Sequence, residues 1–181
     1  MFITIKRMVS IGPYTQAYDM KHMYNFVDLR KKKTDRCVQD KNTLMGIITG
    51  NPDFTIFAKI VDKAKYGGKL SQPQANYTVF VPSDAELKQK YSKQFIDNMD
   101  DGMAKQIMAF SIMNRKIDQY LLQSSPVSIF PTIDRSNSMY INTVNNITHL
   151  SNNTKVIHWN QPADNGIIHV IDNLLIPVST I

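Results

Sequence analysis

The sequence predicts an α+β domain behind a basic N-terminal arm, and three observations carry that reading. Apolar residues recur at helical spacing from Thr43 to about Gln123, interrupted by one β-prone run at Tyr77–Val81. From Ser138 onward the pattern changes to short β-prone runs divided by Asn-rich turns. Helices first and strands mostly later is the order of an α+β fold, not the alternation of a parallel α/β sheet. The third observation is charge. Residues 1–42 hold nine Lys or Arg against four Asp, a net of +5, whereas residues 43–181 hold twelve against eleven Asp or Glu, a net of +1.

Composition bounds the answer. The chain has 181 residues, 43% of them hydrophobic and 20% charged. That length suits one domain with an appendage, so the boundaries are an arm over 1–42 and a domain over 43–181, large enough to bury a core without staples. A single cysteine, Cys37, excludes an internal disulfide framework and a multi-cysteine zinc site. No window approaches the ~20 apolar residues of a membrane span, which excludes an integral helical membrane protein.

The elements come in order. Leu44, Ile47 and Ile48 make a short apolar helix that stops at Gly50. Asn51-Pro52 opens a second, in which Phe54, Phe57, Val61 and Ala64 share a face with Ile60 beside them. Gly67-Gly68 is expected to end it. Tyr77–Val81 is a strand closed by Pro82. Ser83-Asp84-Ala85-Glu86 is a capping box, with both carboxylates placed where a helix N-terminus favours negative charge. Two helices are expected over 100–123: Met103, Ile107 and Phe110 line the first, and Ile117, Tyr120 and Leu121 the second. Strands are expected at Ser138–Val144, Ile147–Leu150, Thr154–Trp159 and Ile167–Ile176, with Asp172-Asn173 bending the last. Asn145-Asn146, Ser151-Asn152-Asn153 and Gln161–Gly166 are expected as hairpin turns using positive φ.

Two segments together resemble the fasciclin domain. One is NPDFTIFAKIVDKAKYGGKL followed by YTVFVPSDAEL; the other is NGIIHVIDNLLIPV. They lie at the two ends of a stretch from about Thr43 to Val178. The resemblance implies a compact wedge of β-sheet packed with several helices, serving adhesion or protein interaction. The sequence departs from the family at one point: the Tyr-His pair often found in the central helix region, associated with integrin adhesion, is Phe110-Ser111 here. The basic arm has no counterpart in the family domain.

The arm mixes aromatic residues and Met with the run Arg30-Lys31-Lys32-Lys33. Gly12-Pro13 reads as a turn, and Tyr18–Leu29 as a short helix. Such asymmetry of charge points to an acidic partner surface, whether protein, nucleic acid or lipid. The residues expected to bind partners are Phe2, Tyr18 and Phe26 as apolar anchors, with Arg30, Lys31, Lys32, Lys33 and Arg36 setting register. Lys6 and Arg7 interrupt the first apolar run too early for a secretory leader. With Met1 in first place, the expectation is synthesis without a signal peptide. The sequons at Asn76, Asn146 and Asn152 are then chance products of an Asn-rich chain; a leader removed upstream would reverse that and place the protein outside the cell.

Catalytic chemistry is not legible. His22, His149, His158 and His169 lack the spacing of a zinc site, and only His158 with His169, near Asp164 or Asp172, could approach one another across strands. His169 reads as a hydrogen-bonded packing residue. Ser83 reads as a cap and not a nucleophile, and Cys37 beside Arg36 as incidental. No P-loop, G-x-G-x-x-G or G-x-S-x-G motif occurs. The expectation is a non-enzymatic module with no catalytic or metal residues, no cofactor and no small-molecule substrate. It would be a subunit of a larger assembly, held to other protein subunits by its arm. Ile-, Lys- and Asn-rich usage fits an AT-rich genome, so the concrete form is a minor capsid or cementing protein in the virion of a large DNA virus. A secreted or surface adhesion domain and a nucleic-acid binder acting through the arm are the alternatives.

Overall fold

The structure is a computed structural model that describes residues 41–177, apart from 134 and 136. The chain divides between Val38 and Gln39, and the described residues belong to the second unit. Its helices are α1 (Leu44–Gly50), α2 (Thr55–Ala64), α3 (Gly67–Leu70), α4 (Asp84–Lys90), α5 (Lys93–Asp97), α6 (Asp101–Ser111) and α7 (Gln119–Gln123). Its strands are β1 (Tyr77–Pro82), β2 (Ile112–Met113), β3 (Val127–Pro131), β4 (Ser138–Val144), β5 (Ile147–Leu150), β6 (Thr154–Ala163) and β7 (Gly166–Ile171). They form one mixed sheet in the order β2-β1-β7-β6-β5-β4-β3. This is the expected α+β class.

Among the described strands only β1 and β7 pair in parallel, from Tyr77 opposite Gly166 to Pro82 opposite Ile171. Both strands are buried on both faces, which explains why YTVFV and IIHVI read as near-continuous apolar runs. On one side Val79, Val81, Ile168 and Val170 meet Leu44, Ile48, Phe57, Val61, Leu87, Ile107 and Met108 from the helices. On the other, Phe80 and Ile171 join Met113, Ile117, Leu122, Met139, Ile141 and Leu150. The Ile133 N–H donates to the Ile112 carbonyl at 2.8 Å, so the chain leaving β3 returns to β2 and the sheet curls around this second cluster.

The α2 stripe of Phe57, Ile60, Val61 and Ala64 is buried as its spacing predicts. Its terminus differs. Lys65, at φ 61°, takes the left-handed position, and Gly67-Gly68 instead open α3. The α7 face also differs. Ile117 is buried ahead of the helix, which starts only where the Asp118 carboxylate accepts from Leu121 N–H at 2.8 Å. Leu122 is therefore the inward residue, and Tyr120 is 83% exposed. Strands β2 and β3 are additional to the expected set, and β6 runs past Trp159 to Ala163 through irregular register against β7. The last strand ends at Ile171, followed by the expected bend at Asp172-Asn173.

Ser83 caps α4 as expected, accepting from Glu86 N–H at 3.4 Å. Asp84 does something else. It is buried, and its carboxylate accepts from the Ile56 N–H at 2.9 Å and from the Thr55 hydroxyl. It thereby satisfies the first turn of α2 from another helix, a role that the dipole argument for α4 does not reveal.

Asn145-Asn146 and Asn152-Asn153 adopt positive φ. Asn165-Gly166 does not. Asn165 is 1% exposed and serves as a bracket. Its Oδ1 accepts from Leu44 N–H at 2.8 Å, and its Nδ2 donates to the carbonyls of Leu70 at 2.8 Å and Gln72 at 2.9 Å. Its own carbonyl accepts from Tyr77 N–H at 3.3 Å. Gly166 is glycine for proximity, since a Cβ there would lie 2.3 Å from the Tyr77 carbonyl oxygen. Asn165→Ala leaves Leu44 N–H and two carbonyls without their partner and is expected to lower the unfolding free energy by about 3 kcal/mol. Urea denaturation measures this, and an unchanged midpoint would show that the bracket contributes nothing.

Candidate interaction surface

Strands β3 to β6 carry apolar residues on both faces. Inward, Met139, Ile141 and Leu150 are buried. Outward stand Val127 and Ile129 on β3, Tyr140 and Val144 on β4, Ile147 on β5 and Ile157 on β6, with exposures from 38% for Ile157 to 60% for Tyr140. The register sets Ile129 opposite Tyr140 and Val144 opposite Ile147. Between these rows Val127 faces Asn142, Asn142 faces His149, and His149 faces Lys155. On β3, β4 and β5 the outward residues are Val127, Ile129, Pro131, Ser138, Tyr140, Asn142, Val144, Ile147 and His149, without one Lys, Arg, Asp or Glu. An antiparallel sheet with one solvated face ordinarily alternates apolar-in and polar-out. This one breaks the rule over several neighbouring positions, the mark of a contact surface.

His169, the histidine of the last strand, is held by architecture. It is fully buried on β7. Its Nδ1 accepts from Asn160 N–H at 3.1 Å, so Nε2 carries the proton and donates to the Ile117 carbonyl at 2.8 Å. The rings of Phe80 and Trp159 flank it, with centroids 5.6 and 5.1 Å away. Burial pushes its pKa below the ordinary 6.5, against the opposing pull of the Ile117 carbonyl and the Asp118 charge. His158 lies opposite Val170 and is exposed, so the two histidines do not converge. Among the described residues no group of three or more His, Cys, Asp or Glu is placed to hold a metal. Phe110 and Ser111 are both buried, with the Ser111 hydroxyl lacking a protein partner. The expected partner-binding residues Phe2, Tyr18, Phe26, Arg30, Lys31, Lys32, Lys33 and Arg36 lie outside the described residues, as do His22 and Cys37.

Comparison with known proteins gives the family. The fasciclin domain model matches residues 52–177. The chain belongs to the fasciclin family. No curated protein matches it by sequence. Among solved structures it is similar to the FAS1 domain pair from the insect cell adhesion molecule fasciclin I, with a TM-score of 0.58 and 22% identity. That match covers 75% of this chain and 51% of the other, so the chain spans about half the length of that structure. At this identity the likeness is one of fold. Helix α1, which lies ahead of the matched segment, packs into the same core, with Leu44 and Ile48 fully buried. No helix among the described residues is long and apolar enough to cross a membrane.

The outward sheet face is the feature that sequence reading missed. Its signal lies in SMYINTV, where Tyr140 and Val144 fall on the phase opposite to Met139 and Ile141. The histidine generates a pH prediction. Below about pH 6.5 the unfolded chain takes up the imidazole proton before the folded one, so stability falls as pH drops toward the depressed folded value. His169→Gln can keep a donor and an acceptor but does not titrate. Its melting temperature should therefore decline less than that of the parent between about pH 7 and 5. Parallel declines would remove His169 as a source of acid sensitivity.

Proposed function

We propose that the chain is a non-catalytic protein-interaction module that works as a subunit of a larger assembly. The observation that carries this reading is the uncharged apolar face of β3–β5, continued by Ile157 on β6, on a domain whose described polar groups are largely spent on holding the fold. Family membership supports it, since fasciclin domains typically serve adhesion and protein contact. In this reading residues 1–42 form a separate arm that grips neighbouring subunits. Phe2, Tyr18 and Phe26 supply apolar anchors, and Arg30, Lys31, Lys32, Lys33 and Arg36 set orientation on an acidic surface. The assembly we favour is the capsid of a large DNA virus, on the strength of the Ile-, Lys- and Asn-rich composition.

A second reading is an adhesion domain outside the cell. It is favoured by the fold likeness to an insect cell adhesion molecule and by the exposure of Asn76, Asn146 and Asn152, each the acceptor residue of a sequon. Glycan on Asn76 in the native protein would select it.

The test places a photo-crosslinking residue at Phe26 in the full chain within its native assembly. Adducts to protein subunits are the expected outcome. Adducts confined to nucleic acid or lipid would overturn the subunit-gripping role of the arm. Neutralising Arg30 to Lys33 with Gln should weaken attachment at least tenfold if those charges set register.

A further inference from the structure

We infer that the outer face of β3–β6 binds a second copy of this chain, face to face across a two-fold axis. The inference deepens the interaction-module reading and rests on it. Four features of the face lead there. The first is its extent. The six outward side chains on four adjacent strands expose apolar surface on the order of several hundred Å², the upper end for a monomer and the scale of one side of a modest dimer contact. The inner faces of β4 and β5 are already filled by Met139, Ile141 and Leu150, so the outer residues are surplus to the domain's own core.

The second feature is charge. The chain carries a net +6, and two copies meeting through basic surface repel. Across β3, β4 and β5 this face carries no formal charge, and Lys155 stands at its margin on β6. An acidic or basic partner would find nothing there to recognise. An identical face would find an uncharged apolar surface like its own, which an isologous contact requires.

The third is geometry. Two sheet faces stack about 10 Å apart with strands roughly aligned, side chains interdigitating between them. Tyr140, central on β4, with Ile129 on one flank and Val144 and Ile147 further along, provides the bulk such a layer needs.

The fourth closes the competing mode, addition of a strand to the β3 edge. Thr143 N–H donates to the Pro126 carbonyl, so the even-numbered residues of β3 bond inward to β4 and the odd-numbered ones point outward. Of these, the Val127 carbonyl already accepts from the Ser125 hydroxyl at 2.8 Å, and Pro131 has no N–H. Ile129 alone offers both groups, too little for a ladder. The edge is blunted while the face is left open.

The experiment is sedimentation equilibrium of the full chain across a concentration series. A reversible dimer is expected. The double variant Ile129→Lys/Val144→Lys, at two exposed positions, should raise the dimer dissociation constant at least tenfold while far-UV circular dichroism and melting stay as in the parent. If that pair perturbs folding, the single variant Tyr140→Ser is read in its place, with the same expectation. Gln substitution of Arg30 to Lys33 should leave the dimer intact. A parent chain that stays monomeric throughout overturns the inference, and so does a dimer unaffected by the face variants. A dimer lost only with the arm variant also overturns it, yet leaves the interaction-module reading standing, because contact would then run through the arm.

Discussion

The domain depends on a single side-chain amide. Asn165 sits at the turn between β6 and β7, yet its contacts reach the first residue of α1, the end of α3 and the loop before β1. A helix start leaves N–H groups without intrahelical partners, and a loop end leaves carbonyls in the same state. Asn is among the few side chains that can satisfy both, because one amide group donates and accepts at once. Its neighbour Gly166 lets the backbone of β7 come within reach of Tyr77, which starts the parallel pairing with β1. The register of β1 against β7 and the seat of the first helix are therefore set at the same point.

A second tier of brackets joins the segment between β2 and α7 to the sheet. The Thr78 hydroxyl donates to the Arg115 carbonyl at 2.7 Å and accepts from Ile117 N–H at 2.8 Å. His169 then takes the Ile117 carbonyl from the neighbouring strand. Ile117 is thus held at both backbone groups, and its side chain fills the core enclosed by the curled sheet. Polar residues inside this domain carry cross-links between segments far apart in sequence, which is a structural use of groups that elsewhere do catalysis.

Much of this is legible in the residues. Helical spacing finds α1, α2 and α6, and the run YTVFVPSDAEL finds β1 and its capped helix because local rules suffice there. The outer hairpins are betrayed by their Asn turns. The parts that escape depend on partners distant in sequence. Asp84 looks like a first-turn charge on α4, but its carboxylate belongs to the start of α2. Asn165 looks like a positive-φ turn residue, whereas burial among long-range partners decides its role. Lys65 takes a left-handed cap that favours glycine, so Gly67-Gly68 is a misleading stop signal. The outward face of β4 escapes because a β-prone run identifies a strand without saying which phase of it remains uncovered.

The parallel junction of β1 with β7 has a consequence for how the protein is made. Tyr77 meets Gly166 only near the end of the described domain, with strands β2 to β6 lying between them in the chain. Closing so long a loop is entropically slow, and nothing local rewards it in advance. On the ribosome, Val79 and Val81 emerge long before the strand that shields their flank. The nascent chain must keep that apolar ribbon from sticking elsewhere until β7 is synthesised, which makes β1 the segment that a holding chaperone would grasp.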